Sequence, residues 1–299
     1  MTESDVMNVL PMRVSRRSIT IAAAFVGLVS LALGAHAALN KRALATAAAV
    51  LENAAAGKNA RLALVIGNGH YPDAATPLAQ PINDARALTS ALRRDGFEVD
   101  VVEDATREDM VRAVDRLKAK IKPESVVMLY FGGYGVQVGR QSYLLPVDAA
   151  IWKEADIRRD GTSVEALLDV MKERGAQARL VVIDASRRNP YERRFRGYSR
   201  GLAPIAVPDN ALILSSATPG KVADDAEGPT SLLVTELLKN LNAAPAADAK
   251  PAGAEALFTK TRLAVTRASD GEQVPAVSSS LVEDLPLGTA VAPAVKAGS

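Results

Sequence analysis

The sequence predicts an α/β sandwich built on a mostly parallel sheet. Five short, largely apolar runs read as strands, the first of them continuous, as for a strand buried on both faces of a parallel sheet. Between them lie stretches whose apolar residues fall at helical spacing. Strands alternating with amphipathic helices imply a parallel sheet with helices packed against it.

The first run, Leu62 to Ile66, follows Arg61 and ends in Gly67. Asn83-Asp84 can cap the next helix, on which Ala85, Leu88 and Leu92 share a face. Phe97 to Val102 is the second strand, and Met110, Val114, Leu117 and Ile121 then lie on one face of a second helix. Val126 to Phe131 is the third strand and Leu180 to Ile183 the fourth. The helix between them carries Val164, Leu167, Leu168 and Met171. Ala211 to Leu214 is the fifth strand. A helix with Leu233, Leu237, Leu238 and Leu241 follows, and a last helix is expected near 254–268.

Before this pattern, Arg13, Arg16 and Arg17 precede an apolar run from Ile19 to Leu33, and Ala35-His36-Ala37 follows as an Ala-x-Ala site. Residues 1–37 therefore read as a secretory signal, with Ser15-Arg16-Arg17-Ser18-Ile19 resembling a twin-arginine type. Extended to Leu39, the same run is long enough for an uncleaved membrane anchor. Lys41 and Arg42 on the far side weaken the charge asymmetry that would orient one. Both readings imply export, to the periplasm or to the inner membrane with the domain facing the periplasm. Residues 38–60 read as an alanine-rich spacer, 61–287 as the folded domain, 243–254 as a flexible insertion and 288–299 as a disordered tail.

The chain has 299 residues, 23% of them charged and 48% hydrophobic, ordinary for a globular protein. A net charge of +2 gives no footprint for nucleic acid. The absence of cysteine excludes disulfides, thiolate metal sites and a cysteine nucleophile. His70 is the one histidine of the folded part, so no zinc site is expected. No cofactor is expected, and calcium held by residues distant in sequence stays open.

Two segments carry the chemistry. One is Met128-Leu129-Tyr130-Phe131-Gly132-Gly133-Tyr134-Gly135-Val136-Gln137, and the other is Leu180-Val181-Val182-Ile183-Asp184-Ala185-Ser186-Arg187. Tyr134 stands three residues past one strand and Ser186 two or three past another, at the end of a parallel sheet where ligands bind. The glycine spacing fits neither a dinucleotide nor a Walker loop. Both segments resemble the catalytic runs of the caspase/metacaspase family, strand then Gly-His-Gly and strand then Asp-Ala-Cys. The likeness extends over roughly 61–287. It takes in Leu64-Val65-Ile66-Gly67-Asn68 with Tyr71, Asn83-Asp84-Ala85, Tyr143-Leu144-Leu145-Pro146-Val147-Asp148, Asn189-Pro190, Gly201-Leu202-Ala203-Pro204 and Pro275 with Ser279-Ser280-Leu281.

The resemblance implies a caspase-like three-layer α/β/α sandwich with a mostly parallel central sheet, similar to exported bacterial caspase-like proteins. In that family a histidine takes the proton, a cysteine attacks the peptide carbonyl, and nearby backbone N–H groups form the oxyanion hole. Tyr134 occupies the histidine position and Ser186 the cysteine position, so both catalytic positions are substituted. The N–H groups around Gly135 and Ser186 are expected to persist, since they do not depend on side chains, and Gly133 and Gly135 are expected to bring the backbone close to a bound peptide. Asp184 occupies a position that helps metacaspases and their bacterial relatives recognise a basic residue. Its alternative role is to cap local N–H groups or to pair with Arg187 or Arg200.

His70 is a second candidate base, against the plainer reading of an exposed loop histidine. The arginine-rich run from Arg187 to Arg196 reads as a solvated loop bordering the cleft rather than a lipid or nucleic-acid patch. The functional expectation is a pseudopeptidase that binds a peptide or protein partner carrying basic residues. The first alternative is a divergent peptidase using Ser186 with Tyr134 and cutting after Arg or Lys. The second is a structural envelope protein.

Overall fold

The computed structural model describes residues 60–72, 77–185, 201–223, 228–243, 252–283 and 285–288. The expected signal or anchor, most of the spacer and most of the tail lie outside these residues. So do Ser186, the arginine-rich run and residues 244–251.

Six strands form the main sheet: β1 (Arg61–Gly67), β2 (Glu98–Glu103), β3 (Val126–Gly132), β7 (Ala178–Asp184), β8 (Ala211–Ser215) and β9 (Ala276–Ser279). Their spatial order is β2-β1-β3-β7-β8-β9, parallel except for β9, which runs antiparallel to β8. The continuous apolar runs have their cause in two separate cores. Leu62, Leu64, Ile66, Val127, Leu129, Phe131, Val181 and Ile183 face one core, and the alternate residues Ala63, Val65, Met128, Tyr130, Leu180 and Val182 face the other.

The first core is closed by α2 (Arg107–Lys120) through Met110, Ala113 and Leu117, and by α4 (Val164–Glu173) through Leu167, Leu168 and Met171. The second is closed by α1 (Gln80–Arg94), α5 (Leu232–Leu241) and α6 (Ala254–Ala268). This is the expected three-layer sandwich. Local chemistry sets the helix starts. Thr106 and Asp109 form a capping box on α2, while Ser163 and Ser231 accept the N–H groups of Ala166 and Val234 on α4 and α5.

The cap expected at Asn83-Asp84 lies elsewhere. Helix α1 begins at Gln80 with Pro81 in its first turn, so both residues fall inside the helix. They serve α5 instead: Asp84 accepts the Ser231 amide at 2.9 Å, and Asn83 donates to the Pro229 carbonyl at 3.0 Å.

Three further elements have weak sequence signals. Strands β4 (Gly135–Val138), β5 (Gln141–Leu144) and β6 (Thr162–Ser163) form a small antiparallel sheet, and α3 (Glu154–Asp160) precedes β6. A two-residue turn joins β4 to β5, with Gly139 at φ +62°. This sheet covers a third cluster that includes Tyr71, Tyr134, Val136, Tyr143, Leu145 and Ile157.

At the amino end of the sheet, Arg61 joins three parts of the chain. Its guanidinium donates to the Asp95 carbonyl at 2.9 Å and the Pro286 carbonyl at 2.7 Å, and lies 4.5 Å from the Phe97 ring centroid. The outer strand β2 carries Glu98, Asp100 and Glu103, paired with Lys120, Arg116 and Arg86. Charges on an edge strand discourage pairing with another chain.

Candidate functional site

The site lies where β3 and β7 end. These strands are adjacent and in register, with Gly132 opposite Asp184. The two chains stay joined beyond their last ladder residues. Gly133 donates its N–H to the Asp184 carbonyl at 3.2 Å, and Gly135 donates to the Ala185 carbonyl at 3.0 Å.

Glycine is required along this turn. Gly133 adopts φ +156°, and a Cβ there would stand 2.6 Å from the Tyr71 hydroxyl. A Cβ on Gly135 would stand 2.7 Å from Leu202 Cδ2 and 3.0 Å from Ala185 Cβ. The chain therefore leaves at Ala185 and returns at Leu202 against the same glycine. Ser142 on β5 secures the return by accepting the Ala203 N–H at 3.1 Å.

Tyr134 is held by its backbone and its ring together. Its amide donates to the Tyr71 hydroxyl at 3.1 Å, and that hydroxyl donates to the Leu145 carbonyl at 2.9 Å. Its carbonyl accepts from the Leu145 amide at 2.9 Å. The Tyr71 and Tyr134 rings meet edge to face, centroids 4.8 Å apart and planes at 67°. Only 9% of Tyr134 is exposed. At the position expected to assist as a base, the ring is part of the small sheet's core.

Asp184, the last residue of β7, is 3% exposed. By strand alternation it faces the same side as Leu180 and Val182, the side covered by α1, α5 and α6. Buried polar groups gather on that side near the strand ends: Asp84, Gln80 and Ser216 are buried there too, and Gln273 donates to the Ser216 carbonyl at 2.9 Å. On the opposite face a cleft of about 110 Å³ opens beside β8 and β9, lined by Leu202, Pro204, Ile205, Ile213, Ser215 and Ala276.

His70 is exposed, as the plainer reading has it, but it is oriented. Its Nδ1 lies 2.6 Å from Asp104 Oδ2, while Asp104 Oδ1 accepts the N–H groups of Gly69 and His70, both at 2.9 Å. Burial pushes the Asp104 carboxyl up. The backbone N–H groups of His70 and Gly69 and the His70 ring outweigh this, so it titrates below the ordinary carboxylate range. Asp104 follows β2, which lies on the side of β1 away from β3 and β7. The imidazole is thus tied to the flank opposite the strand that leads to Ser186.

Sequence reasoning missed two features. Tyr71 stood out only as part of a family pattern, yet it bridges Tyr134 to Leu145. The occupied N–H of Gly135 is a backbone event that no side-chain pattern records. Among the described residues, no group of three or more His, Asp or Glu is arranged to hold a metal ion, and no helix is long and apolar enough to cross a membrane.

Comparison with known proteins gives a consistent placement. A family model for the caspase domain matches residues 60–286. The chain is 29% identical over 133 residues to mucosa-associated lymphoid tissue lymphoma translocation protein 1 of Homo sapiens, covering 44% of this chain and 16% of that protein. The Mus musculus homolog gives the same identity and coverage. The alignment thus spans less than a fifth of either relative's length.

Proposed function

The chain belongs to the caspase-domain family, and from that premise we propose that it is an exported pseudopeptidase that holds a basic peptide or protein segment without cutting it. The observation that carries this reading is the bond from the Gly135 amide to the Ala185 carbonyl. In the family's chemistry, N–H groups beside the two catalytic positions stabilise the oxyanion, and each such donor contributes about 10²–10³ in rate. Here the Gly135 donor faces a protein carbonyl in place of a substrate oxygen. The absence of cysteine removes the thiolate, and Tyr134 sits in apolar packing in place of a mobile imidazole.

What remains suits binding. Asp184 is a carboxylate at the end of a central strand, beside the point where a peptide would cross the sheet's carboxyl edge. A buried carboxylate near that edge favours a Lys or Arg side chain, since charge-assisted hydrogen bonds are strongest when water is excluded. Export is read from the amino-terminal sequence pattern, with the chain either released to the periplasm or tethered to the inner membrane.

The test pairs hydrolysis with binding. The full-length protein and Ser186→Ala are given Arg- and Lys-terminated fluorogenic peptides, with and without calcium, and binding of uncleaved versions is followed by anisotropy. The expected result is binding without turnover in either protein, weakened about tenfold or more in Asp184→Asn. Turnover that vanishes in Ser186→Ala would establish the divergent serine peptidase instead. Neither binding nor turnover would leave a structural role in the envelope.

A further inference from the structure

The His70–Asp104 pair lies outside the family's two catalytic positions and has the form of a working dyad. Asp104 is ionised over the ordinary pH range, because its carboxyl titrates below the usual values. An ionised carboxylate only accepts hydrogen bonds, so the His70 nitrogen 2.6 Å away must carry the hydrogen. With that hydrogen on Nδ1, the neutral form of the ring has Nε2 as its acceptor. The ring cannot swing freely, since the carboxylate that holds Nδ1 is itself held by two backbone amides. Asp104 reaches all three donors from φ +49°, a left-handed conformation uncommon for any residue but glycine. The His70 side chain is 66% exposed, so Nε2 is accessible to a ligand.

This acceptor shares the sheet edge with Asp184. His70 follows β1 and Asp104 follows β2, while Asp184 ends β7, and the order is β2-β1-β3-β7. Two to three strand spacings separate them, about 10–14 Å. An extended peptide covers that distance in three to four residues, at about 3.3 Å each.

We infer that His70, oriented by Asp104, is a second subsite of the peptide cleft and takes the ammonium of a lysine three or four residues from the basic side chain at Asp184. This rests on the peptide-binding reading above and adds its spacing rule. A lysine suits the site because an ammonium has three donors to offer Nε2 and is drawn by the adjacent Asp104 charge. The charged residues on the adjoining segments include Glu103, paired with Arg86, and Arg107 and Asp148. The Arg107 guanidinium is turned to the Arg159 carbonyl at 3.0 Å, and its amide donates to Asp148 at 2.8 Å.

The experiment uses the full-length chain and labelled nonapeptides read by anisotropy. Each probe has one arginine among alanines, with no lysine or with a lysine three or four residues to either side. At least one lysine probe should bind about threefold to tenfold tighter than the arginine-only probe, the effect of one added hydrogen bond. His70→Ala should erase that gain, and His70→Gln, whose amide oxygen can accept, should keep part of it. Thermal melts of both variants show whether the fold is intact. An arginine-only probe that binds with no gain from any lysine overturns the inference, as does a gain that survives in His70→Ala. If no probe binds, the peptide-binding reading fails and this subsite falls with it.

Discussion

The amide of Gly135 donates to the carbonyl of Ala185 at 3.0 Å, joining the turn after β3 to the turn after β7. The bond ties together the two segments that carry positions 134 and 186. A catalytic cleft of this family needs that donor for the substrate. Under the proposed pseudopeptidase reading, its engagement would separate this protein from an enzyme that has merely exchanged its side chains.

Restoring the family's dyad should therefore not restore cleavage. Tyr134→His with Ser186→Cys is expected to leave turnover of Arg- and Lys-terminated fluorogenic peptides about 10²–10³-fold below that of a site with its oxyanion donors open. Rates approaching that of a competent family member would mean that substrate displaces the Ala185 carbonyl readily.

Tyr71→Phe tests the bridge beneath Tyr134. The lost hydroxyl accepts the Tyr134 amide and donates to the Leu145 carbonyl. The Leu145 carbonyl keeps the Asn68 side-chain amide at 3.1 Å, so the buried Tyr134 amide is the group that loses its partner. A loss of about 1–3 kcal/mol is expected in urea unfolding, with the midpoint lowered and the slope unchanged.

Asp104→Asn isolates a charge, because asparagine also tolerates the left-handed backbone found there. The folded carboxyl titrates below its unfolded value, so its stabilisation is full above about pH 3.9 and is lost as pH falls through the folded value. The side chain is 32% exposed, which limits the effect to about 1 kcal/mol or less. The variant should melt below the native protein at neutral pH, and the gap should close as the medium is taken below about pH 4. A gap independent of pH would assign the loss to packing.

Gly135→Ala should be destabilising through overpacking, which also crowds the Ala185 carbonyl that accepts the Gly135 amide, 3.1 Å from the new methyl. The new methyl meets Leu202 at 2.7 Å, and Ala185 stands behind it at 3.0 Å. Overpacking of this kind costs about 1–3 kcal/mol. Calorimetry of the variant checks the value, and Gly135→Ala combined with Leu202→Ala should recover part of the loss.

Much of the fold was legible because the physics that sets it is repetitive. Four of the five parallel strands announce themselves as apolar runs, since each is buried on two faces, whereas the edge strand β2 alternates apolar and acidic residues. Strand β9 does not, because Ala-Val-Ser-Ser is short and half exposed. The small sheet has strands of four, four and two residues, too few for a period to emerge. The same contrast governs the site. Tyr134 and Asp184 could be placed at strand ends from sequence, whereas the pairing of His70 with Asp104 spans 34 positions and needs the β1–β2 register to bring them together. The engaged amide of Gly135 depends on how two turns meet in space.

The clasp at Arg61 sets how the domain bears mechanical load. Strand β1 is hydrogen-bonded to β2 on one side and β3 on the other, and the Ala60 carbonyl already accepts the Val126 amide. Tension applied at residue 60 along the strand shears two ladders together instead of peeling one edge bond by bond. The Arg61 guanidinium passes part of that force to Asp95 at the end of α1 and to Pro286 on the closing segment. Two segments 225 positions apart thus share the strain at a single side chain, and Arg61→Ala should give way at lower pulling force.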